Sequence, residues 1–333
     1  MSHTHIVAIG ATGGTISMAS LDRGGPATPS LQGEDLAAPL HQWLPDVIVR
    51  STSLFSVGSP QLRIADVLAV ARFASNAVRD GAHGVVIIQG TDTLEETAYL
   101  LDLIWDRPEP LVVTGAMRAS DDAGAEGMGN LVAAVRVALD ERTRNMGVLV
   151  VLNDEAHLAS LVRKVDANAL SAFKSLSWGP VARVVEGDVT VVYRPVVRHP
   201  ALPYPQASPP RIPIVTAGLD DDGELMRLAL HARPRGIVIS AMGSGHVPVP
   251  LADAAEEVVN AGIPVVFASR TGGGTTTQNT YGYPGSEVDL LNRGLIGAGW
   301  LDGRKSRLLL HTLVSAGADR ESIAAEFSRR GRG

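Results

Sequence analysis

Four residues in the first half of the chain have side chains that together could carry out acyl transfer. Thr12, in IVAIGATGGTISM, and Thr91, in QGTDTLEE, place hydroxyl groups just after apolar runs. A hydroxyl becomes a nucleophile when a base removes its proton and an acid orients that base. Asp92 supplies an acid, and Lys164 supplies a base if its ammonium group can give up a proton. These residue types indicate acyl-transfer chemistry.

The glycines around Thr12 raise another interpretation, a loop that binds the phosphates of a nucleotide. A dinucleotide-binding loop needs a further glycine at position 16, where this chain has Ile16. It also needs an acid at the end of the second strand, whereas the run DVIVRSTSLFS ends in hydroxyl residues. The Gly-x-x-x-x-Gly-Lys-Ser/Thr motif does not occur in the chain. The sequence therefore favours a reactive threonine over nucleotide binding.

Composition narrows the class of protein further. The net charge of −6 argues against a nucleic-acid partner, because phosphate binding needs clustered basic residues. Cysteine is absent, which excludes disulfides, thiolate catalysis and cysteine-bound zinc. No apolar run approaches the roughly 18 residues of a membrane span, and the first residues show no signal-peptide pattern. We therefore expect a soluble, cytoplasmic protein. The sequence shows no cluster of metal ligands, and the acyl-transfer chemistry needs no metal and no cofactor.

Lysine is scarce in this chain. It occurs only at positions 164, 174 and 305, among 29 basic residues. Arginine stays protonated in proteins, whereas a lysine can be tuned to give up its proton. Most lysines are solvated surface charges, but this scarcity makes Lys164 worth attention as a functional residue.

Short β-branched runs alternate with helical patterns before residue 150, and this predicts an α/β domain with a largely parallel sheet. In such sheets, ligands bind at the carboxyl ends of strands, where GATGGTIS, QGTDTLEE and TGAMRASDDAG lie. Thr93 and Glu96 predict a capping box for the helix LEETAYLLDLIWD. Further on, WGPVARVVEGDVTVVYRP predicts a hairpin that turns at Gly187-Asp188. The predicted strands are HIVAIG, DVIVRS, GVVIIQG, PLVVTG and MGVLVVLN.

A proline-rich segment divides the chain. Residues 197–213 contain six prolines, which disfavour helix and sheet, and we predict a linker there. Residues 1–196 are then a large N-terminal domain, and residues 214–333 a smaller C-terminal α/β domain. The second domain repeats the strand–helix alternation with the strands IPIVTAG, GIVISAMG and IPVVFAS.

Five stretches resemble the bacterial-type L-asparaginase family, which also includes glutaminase-asparaginases. They span nearly the whole chain in family order, and the first two together are specific. The resemblance implies hydrolysis of L-asparagine to L-aspartate and ammonia without a cofactor. It also implies a homotetramer built from two tight dimers. The stretches are ATGGTIS, IIQGTDTLEETAYLLDL, VVTGAMRASDDAGAEGMGNL, VLNDEAHLASLVRKVDANALSAFKS and EVDLLNRGLIGAG.

The resemblance implies a role for each of the four reactive residues. Thr12 matches the family's nucleophile, and Thr91 matches its second essential threonine. Asp92 matches the acid that contacts the α-amino group of the substrate and supports the second threonine. Lys164, in VRKVDAN, matches the lysine that is paired with that threonine and that acid.

Two further residues match substrate-binding positions of the family. Ser59, in VGSPQ, matches the serine that receives the α-carboxylate of the substrate. Glu287 matches a glutamate that the neighbouring subunit contributes to the same site. This implies that activity requires an oligomer.

Three positions depart from the family pattern. The family commonly has a tyrosine on a lid after the first threonine motif, but MASLDRGGPATPSLQGEDL contains none. Pro60 stands where glutamine often follows the serine, and Gln61 comes one residue later. His246, in GSGHV, stands where asparagine is frequent. The tyrosine's absence puts the efficiency of catalysis or the manner of lid closure in question.

Several alternatives stay open at this point. The sequence does not decide whether Thr12 or Thr91 attacks first. Glutamine is longer than asparagine by one methylene, which a pocket typically discriminates by only about 1–3 kcal/mol. The alternatives are therefore a glutaminase-asparaginase, an amidohydrolase of a different amide, and a non-catalytic amino-acid-binding relative.

Overall fold

The computed structural model describes residues 5–14, 18–20, 27–29, 32–205 and 210–332. The chain divides into two compact units, Met1–Ala201 and Leu202–Gly333. The division agrees with the predicted pair of α/β domains. The limits of the linker at 197 and 213 stay a prediction, and its residues 206–209 lie outside the described ranges.

The first unit is built on an eight-stranded sheet. The strands of this unit are β1 (His5–Ala11), β2 (Met18–Ser20), β3 (Ala27–Pro29), β4 (Val47–Ser53), β5 (Gly84–Ile88), β6 (Leu111–Thr114), β7 (Val148–Leu152), β8 (Glu155–Leu158), β9 (Arg163–Lys164), β10 (Phe173–Lys174), β11 (Ala182–Val185) and β12 (Asp188–Val191). Its helices are α1 (Gly33–Ala37), α2 (Ile64–Arg79), α3 (Leu94–Ile104) and α4 (Gly127–Leu139). The strand order in the eight-stranded sheet is β12-β11-β8-β7-β6-β5-β1-β4, and the short pairs β2–β3 and β9–β10 lie outside that sheet.

The prediction of a largely parallel sheet is confirmed. Strands β7, β6, β5, β1 and β4 run parallel, and β8, β11 and β12 extend the sheet antiparallel beyond β7. Every residue of β5, β6 and β7 is buried. Continuous valine, isoleucine and leucine runs form these strands because parallel strands with both faces covered bury every side chain. The arrangement brings the carboxyl ends of β1 and β5 side by side.

The β11–β12 hairpin turns one residue earlier than predicted. Val185 pairs with Asp188, so the loop consists of Glu186 and Gly187. Both loop residues have positive φ angles, 50° and 87°. Such angles suit a tight hairpin because they match the right-handed twist of the strands. The Gly187-Asp188 prediction was wrong because a glutamate in this conformation leaves no sequence signal.

The second unit is built on a four-stranded parallel sheet. Its strands are β13 (Ile214–Thr216), β14 (Ile237–Ala241), β15 (Val265–Ser269) and β16 (Ile296–Gly297). Its helices are α5 (Glu224–His231), α6 (Val249–Asn260), α7 (Glu287–Asn292), α8 (Gly303–Ser315) and α9 (Arg320–Arg330). The strand order is β13-β14-β15-β16. The three predicted strands and their alternation with helices are confirmed, and the short elements β16 and α7 are additional. Of the described helices, none is long and apolar enough to cross a membrane.

Candidate active site

Thr12 comes directly after β1 and lies at the carboxyl edge of the parallel sheet. Its backbone N–H donates to the Ile88 carbonyl oxygen at 2.9 Å, and its Oγ1 donates to the same oxygen at 3.1 Å. Ile88 is the last residue of the neighbouring strand β5. Only 1% of Thr12 is exposed. The hydroxyl is therefore held beside the turn that follows β5.

The two glycines after Thr12 allow the turns after β1 and β5 to pack backbone against backbone. Gly13 and Gly14 have φ angles of 99° and 95°, which disfavour any residue with a side chain. A Cβ on Gly14 would lie 2.1 Å from the backbone nitrogen of Gly90. These glycines thus serve a close approach between two strand-end turns. A phosphate is not needed to explain the glycine-rich motif.

Thr91, Asp92 and Lys164 meet in a hydrogen-bonded cluster. Lys164 Nζ donates to Thr91 Oγ1 at 2.9 Å and to Asp92 Oδ1 at 2.7 Å. Thr91 is 5% exposed, the Lys164 side chain is 14% exposed, and the Asp92 side chain is 62% exposed. One ammonium group therefore contacts both a buried hydroxyl and a carboxylate that faces solvent.

A short antiparallel pair of strands and a buried glutamate position Lys164. In the β9–β10 pair, Lys164 lies opposite Phe173. The backbone N–H of Lys164 donates to Glu95 Oε2 at 2.9 Å, and Glu95 on α3 is only 1% exposed. Glu95 was not predicted from the sequence. Its one available signal was the position of this acid, four residues after Thr91 in the same motif.

Ser59 contacts the turn that carries Thr91 and Asp92. The backbone N–H of Asp92 donates to Ser59 Oγ at 3.2 Å, and Ser59 is 2% exposed. Ser59 begins a tight 3-10 turn that ends at Gln61, whose backbone N–H donates to the Gly58 carbonyl oxygen at 2.9 Å. The structure thus brings Ser59 together with the Thr91 turn.

The predicted capping box at the start of α3 is wrong. Thr93 occupies the N-cap position, but its side chain makes no cap hydrogen bond. Its Oγ1 donates instead to the Ser59 carbonyl oxygen at 3.0 Å. A tertiary contact has therefore replaced the local one.

Glu287 lies in the second unit, at the first position of α7, and is fully buried. Its Oε1 accepts the backbone N–H groups of Thr280 and Tyr281 at 2.8 and 2.9 Å. Its Oε2 lies 3.2 Å from Nε2 of His246. Burial would raise the pKa of the Glu287 carboxyl, but the N–H groups of Tyr281 and Thr280 hold it below its usual value. A role for Glu287 in binding the substrate stays a prediction.

The segment proposed as a lid is described only in part. Strands β2 and β3 pair antiparallel, with Met18 opposite Pro29. The structure does not describe residues 15–17, 21–26 and 30–31. The residue that replaces the family's lid tyrosine is therefore not identified. In the part of the chain that the structure describes, no group of three or more His, Asp or Glu side chains could hold a metal ion.

Comparisons with known proteins identify the family of the chain. The family model "Asparaginase, N-terminal" matches residues 6–197, and the model "Glutaminase/Asparaginase C-terminal domain" matches residues 211–327. The chain is 32% identical to the L-asparaginase of Bacillus licheniformis, over 93% of this chain and 95% of that protein. It is 35% identical to the "Probable L-asparaginase" of Deinococcus radiodurans, over 96% and 95%.

A third relative bears a broader name. The chain is 31% identical to the "Glutaminase-asparaginase" of Pseudomonas aeruginosa, over 96% of this chain and 89% of that protein. Both family models together cover nearly all of the described sequence. From the strand-end threonines and these matches, we conclude that the chain belongs to the asparaginase family.

Proposed function

We propose that this protein hydrolyses L-asparagine to L-aspartate and ammonia through a threonine-linked acyl-enzyme. The observation that carries the proposal is the contact of Lys164 Nζ with both Thr91 Oγ1 and Asp92 Oδ1. An amine that touches a buried hydroxyl can exchange a proton with it, and a carboxylate beside the amine orients it. Family membership adds amide hydrolysis as the reaction class.

In the proposed reaction, the Thr12 oxygen bonds to the side-chain amide carbon of asparagine and its proton passes to the amide nitrogen. The carbon–nitrogen bond breaks, ammonia leaves, and an aspartyl ester of Thr12 remains. Water then attacks the ester carbon, returns a proton to the threonine oxygen and releases L-aspartate. Backbone N–H groups of the strand-end turns stabilise the negative charge on the substrate oxygen. Thr91, Asp92 and Lys164 relay protons and place the water.

Two residues of the first unit are proposed to hold the α-carboxylate and the α-ammonium group of the substrate. Ser59 receives the α-carboxylate, and Asp92 receives the α-ammonium group. The 62% exposure of the Asp92 side chain leaves room for such a contact. The buried Ser59 hydroxyl accepts a hydrogen bond from the Asp92 backbone N–H, so the two residues are directly linked.

We also propose a homotetramer in which Glu287 of one subunit completes the site of its neighbour. The support is the family resemblance, together with the fixed orientation that two backbone N–H groups impose on this carboxylate. Light scattering after gel filtration measures the oligomer. Co-expression of Thr12→Ala chains with Glu287→Gln chains tests the shared site. If the site is shared, mixed dimers contain one intact site and regain activity, whereas sites built within one subunit regain none.

The test of the function is ammonia release from L-asparagine and from L-glutamine by the purified protein. Turnover of asparagine supports the proposal, and a folded oligomer that releases no ammonia from asparagine refutes it. Glutamine is the second candidate substrate, because one relative is named for both amides. The proposed compartment is the cytoplasm, and fractionation of the producing cells tests this separately.

A further inference from the structure

The hydroxyl of Thr93 links two turns that lie far apart in the sequence. Its Oγ1 donates to the Ser59 carbonyl oxygen at 3.0 Å, across 34 positions of the chain. Thr93 Oγ1 also accepts a hydrogen bond from Gln89 Nε2 at 3.2 Å. Gln89 itself is fully buried.

The donor and acceptor groups determine the direction of these two hydrogen bonds. The Ser59 carbonyl can only accept, so the single O–H of Thr93 must point toward it. The Thr93 oxygen therefore has only acceptor capacity left, and the NH₂ group of Gln89 supplies the matching donor. Replacing the hydroxyl would leave the Ser59 carbonyl without this donor.

A second bond holds the same serine from the other side. Its Oγ accepts the backbone N–H of Asp92 at 3.2 Å, while its carbonyl accepts the Thr93 hydroxyl. A Cβ placed on Gly90 would lie 3.0 Å from Ser59 Oγ, which shows how closely the two turns pack. Ser59 is thus fixed at both its side chain and its backbone by the turn of residues 91–93.

We propose that Thr93 and Gln89 are positioning residues that hold Ser59 ready to bind the α-carboxylate of the substrate. The inference rests on the proposed function, in which Ser59 receives that carboxylate. The carboxylate takes no part in bond making or breaking, and in this proposal its contact with Ser59 is the same in the ground state and the transition state. Loosening Ser59 therefore raises KM and leaves kcat nearly unchanged.

The experiment compares Thr93→Val with Thr93→Ser and with Thr143→Val. Valine removes the hydroxyl at similar volume, and serine keeps it. Thr143 is the matched control, because it is a buried threonine whose Oγ1 donates to the Val137 carbonyl oxygen at 2.7 Å in the turn after α4. We expect Thr93→Val to raise KM for asparagine about 3- to 10-fold, the range of one lost hydrogen bond. Thr93→Ser and Thr143→Val should retain the wild-type KM.

Inhibition by two small molecules separates positioning from general loosening. L-Aspartate carries the α-carboxylate, whereas β-alaninamide is asparagine without it. In Thr93→Val, the inhibition constant of aspartate should rise with KM, and that of β-alaninamide should stay at the wild-type value. Gln89→Leu, as a second variant, should show the same pattern if Thr93→Val folds poorly.

The outcomes are distinguishable. An active wild type whose KM is unchanged by both Thr93→Val and Gln89→Leu refutes the positioning role. Equal weakening of both inhibitors, or an equal effect of Thr143→Val, also refutes it, since a merely structural defect would act in that way. A folded wild type without asparagine turnover refutes the proposed function and, with it, this inference.

Discussion

Replacing Lys164 by methionine removes the contact on which the proposed chemistry depends most. Methionine keeps an unbranched apolar stem and loses the ammonium group. The variant therefore loses the 2.9 Å bond to Thr91 Oγ1 and the 2.7 Å bond to Asp92 Oδ1. The Lys164 side chain is only 14% exposed, so the apolar stem of methionine should keep most of the packing that the lysine stem makes.

The size of the effect follows from the exposure of the two partners. A hydrogen bond from a charged donor contributes about 1.5–3 kcal/mol. Water can replace the bond to Asp92, which is 62% exposed, so only the bond to the buried Thr91 is counted. That bond alone corresponds to a loss of about 10- to 150-fold in kcat/KM. A positioned group that moves a proton contributes about 10²- to 10⁴-fold, and we therefore predict a fall in that range.

Lys174→Met is the matched control. Lys174 lies on β10, the strand paired with that of Lys164, and its Nζ donates to Glu155 Oε2 at 2.9 Å. Lys174→Met thus makes the same substitution in the same strand pair, but it removes a contact to Glu155 instead of the contacts to Thr91 and Asp92. Ammonia release and thermal melting are measured on both variants. A loss below about 10²-fold in Lys164→Met, the minimum for proton transfer, would refute the reasoning. An equal loss in Lys174→Met would refute it as well.

Three further predictions concern backbone strain and burial. Gly14→Ala should abolish soluble, active protein, because the added Cβ would lie 2.1 Å from the Gly90 nitrogen; expression and ammonia assays check this. Glu186→Asn should raise the melting temperature, because asparagine tolerates the φ of 50° at this hairpin position better than glutamate. Burial lowers the pKa of His311 to about 4, so the unfolded state takes up the proton first as the pH falls. Stability should therefore fall from about pH 6.5 to pH 4, by about 3 kcal/mol for this group, and His311→Leu should reduce that slope in urea titrations at stepped pH.

Apolar runs predicted the sheet because burial on both faces leaves a local signal. The valines and isoleucines of β5, like the valines and leucines of β7, stand next to one another in the sequence, so no distant residue is needed to recognise them. The crossing of α5 and α6 between parallel strands follows from the same alternation. The hairpin turn was misplaced because glycine and aspartate are stronger turn formers than Glu186.

Contacts between distant residues could not be read from the pattern. Thr93 has every local feature of a helix cap, yet its partner Ser59 lies 34 positions away. The meeting of Lys164 with Thr91 spans 73 positions. Residue type and the scarcity of lysine singled out Lys164, and the family resemblance paired it with Thr91. Glu95 was missed because an acid in the first turn of a helix is ordinary there. The catalytic and binding roles of these residues stay predictions.

The most direct test of the central claim is to trap the covalent intermediate. The protein is mixed with L-asparagine, quenched in acid during turnover, and digested for mass spectrometry. We predict ammonia release together with an aspartyl ester on the peptide that contains Thr12, and loss of both in Thr12→Ala. An ester on Thr91 instead would reverse the order of the two threonines. Turnover without any acylated threonine, or no turnover by the folded oligomer, would contradict the account.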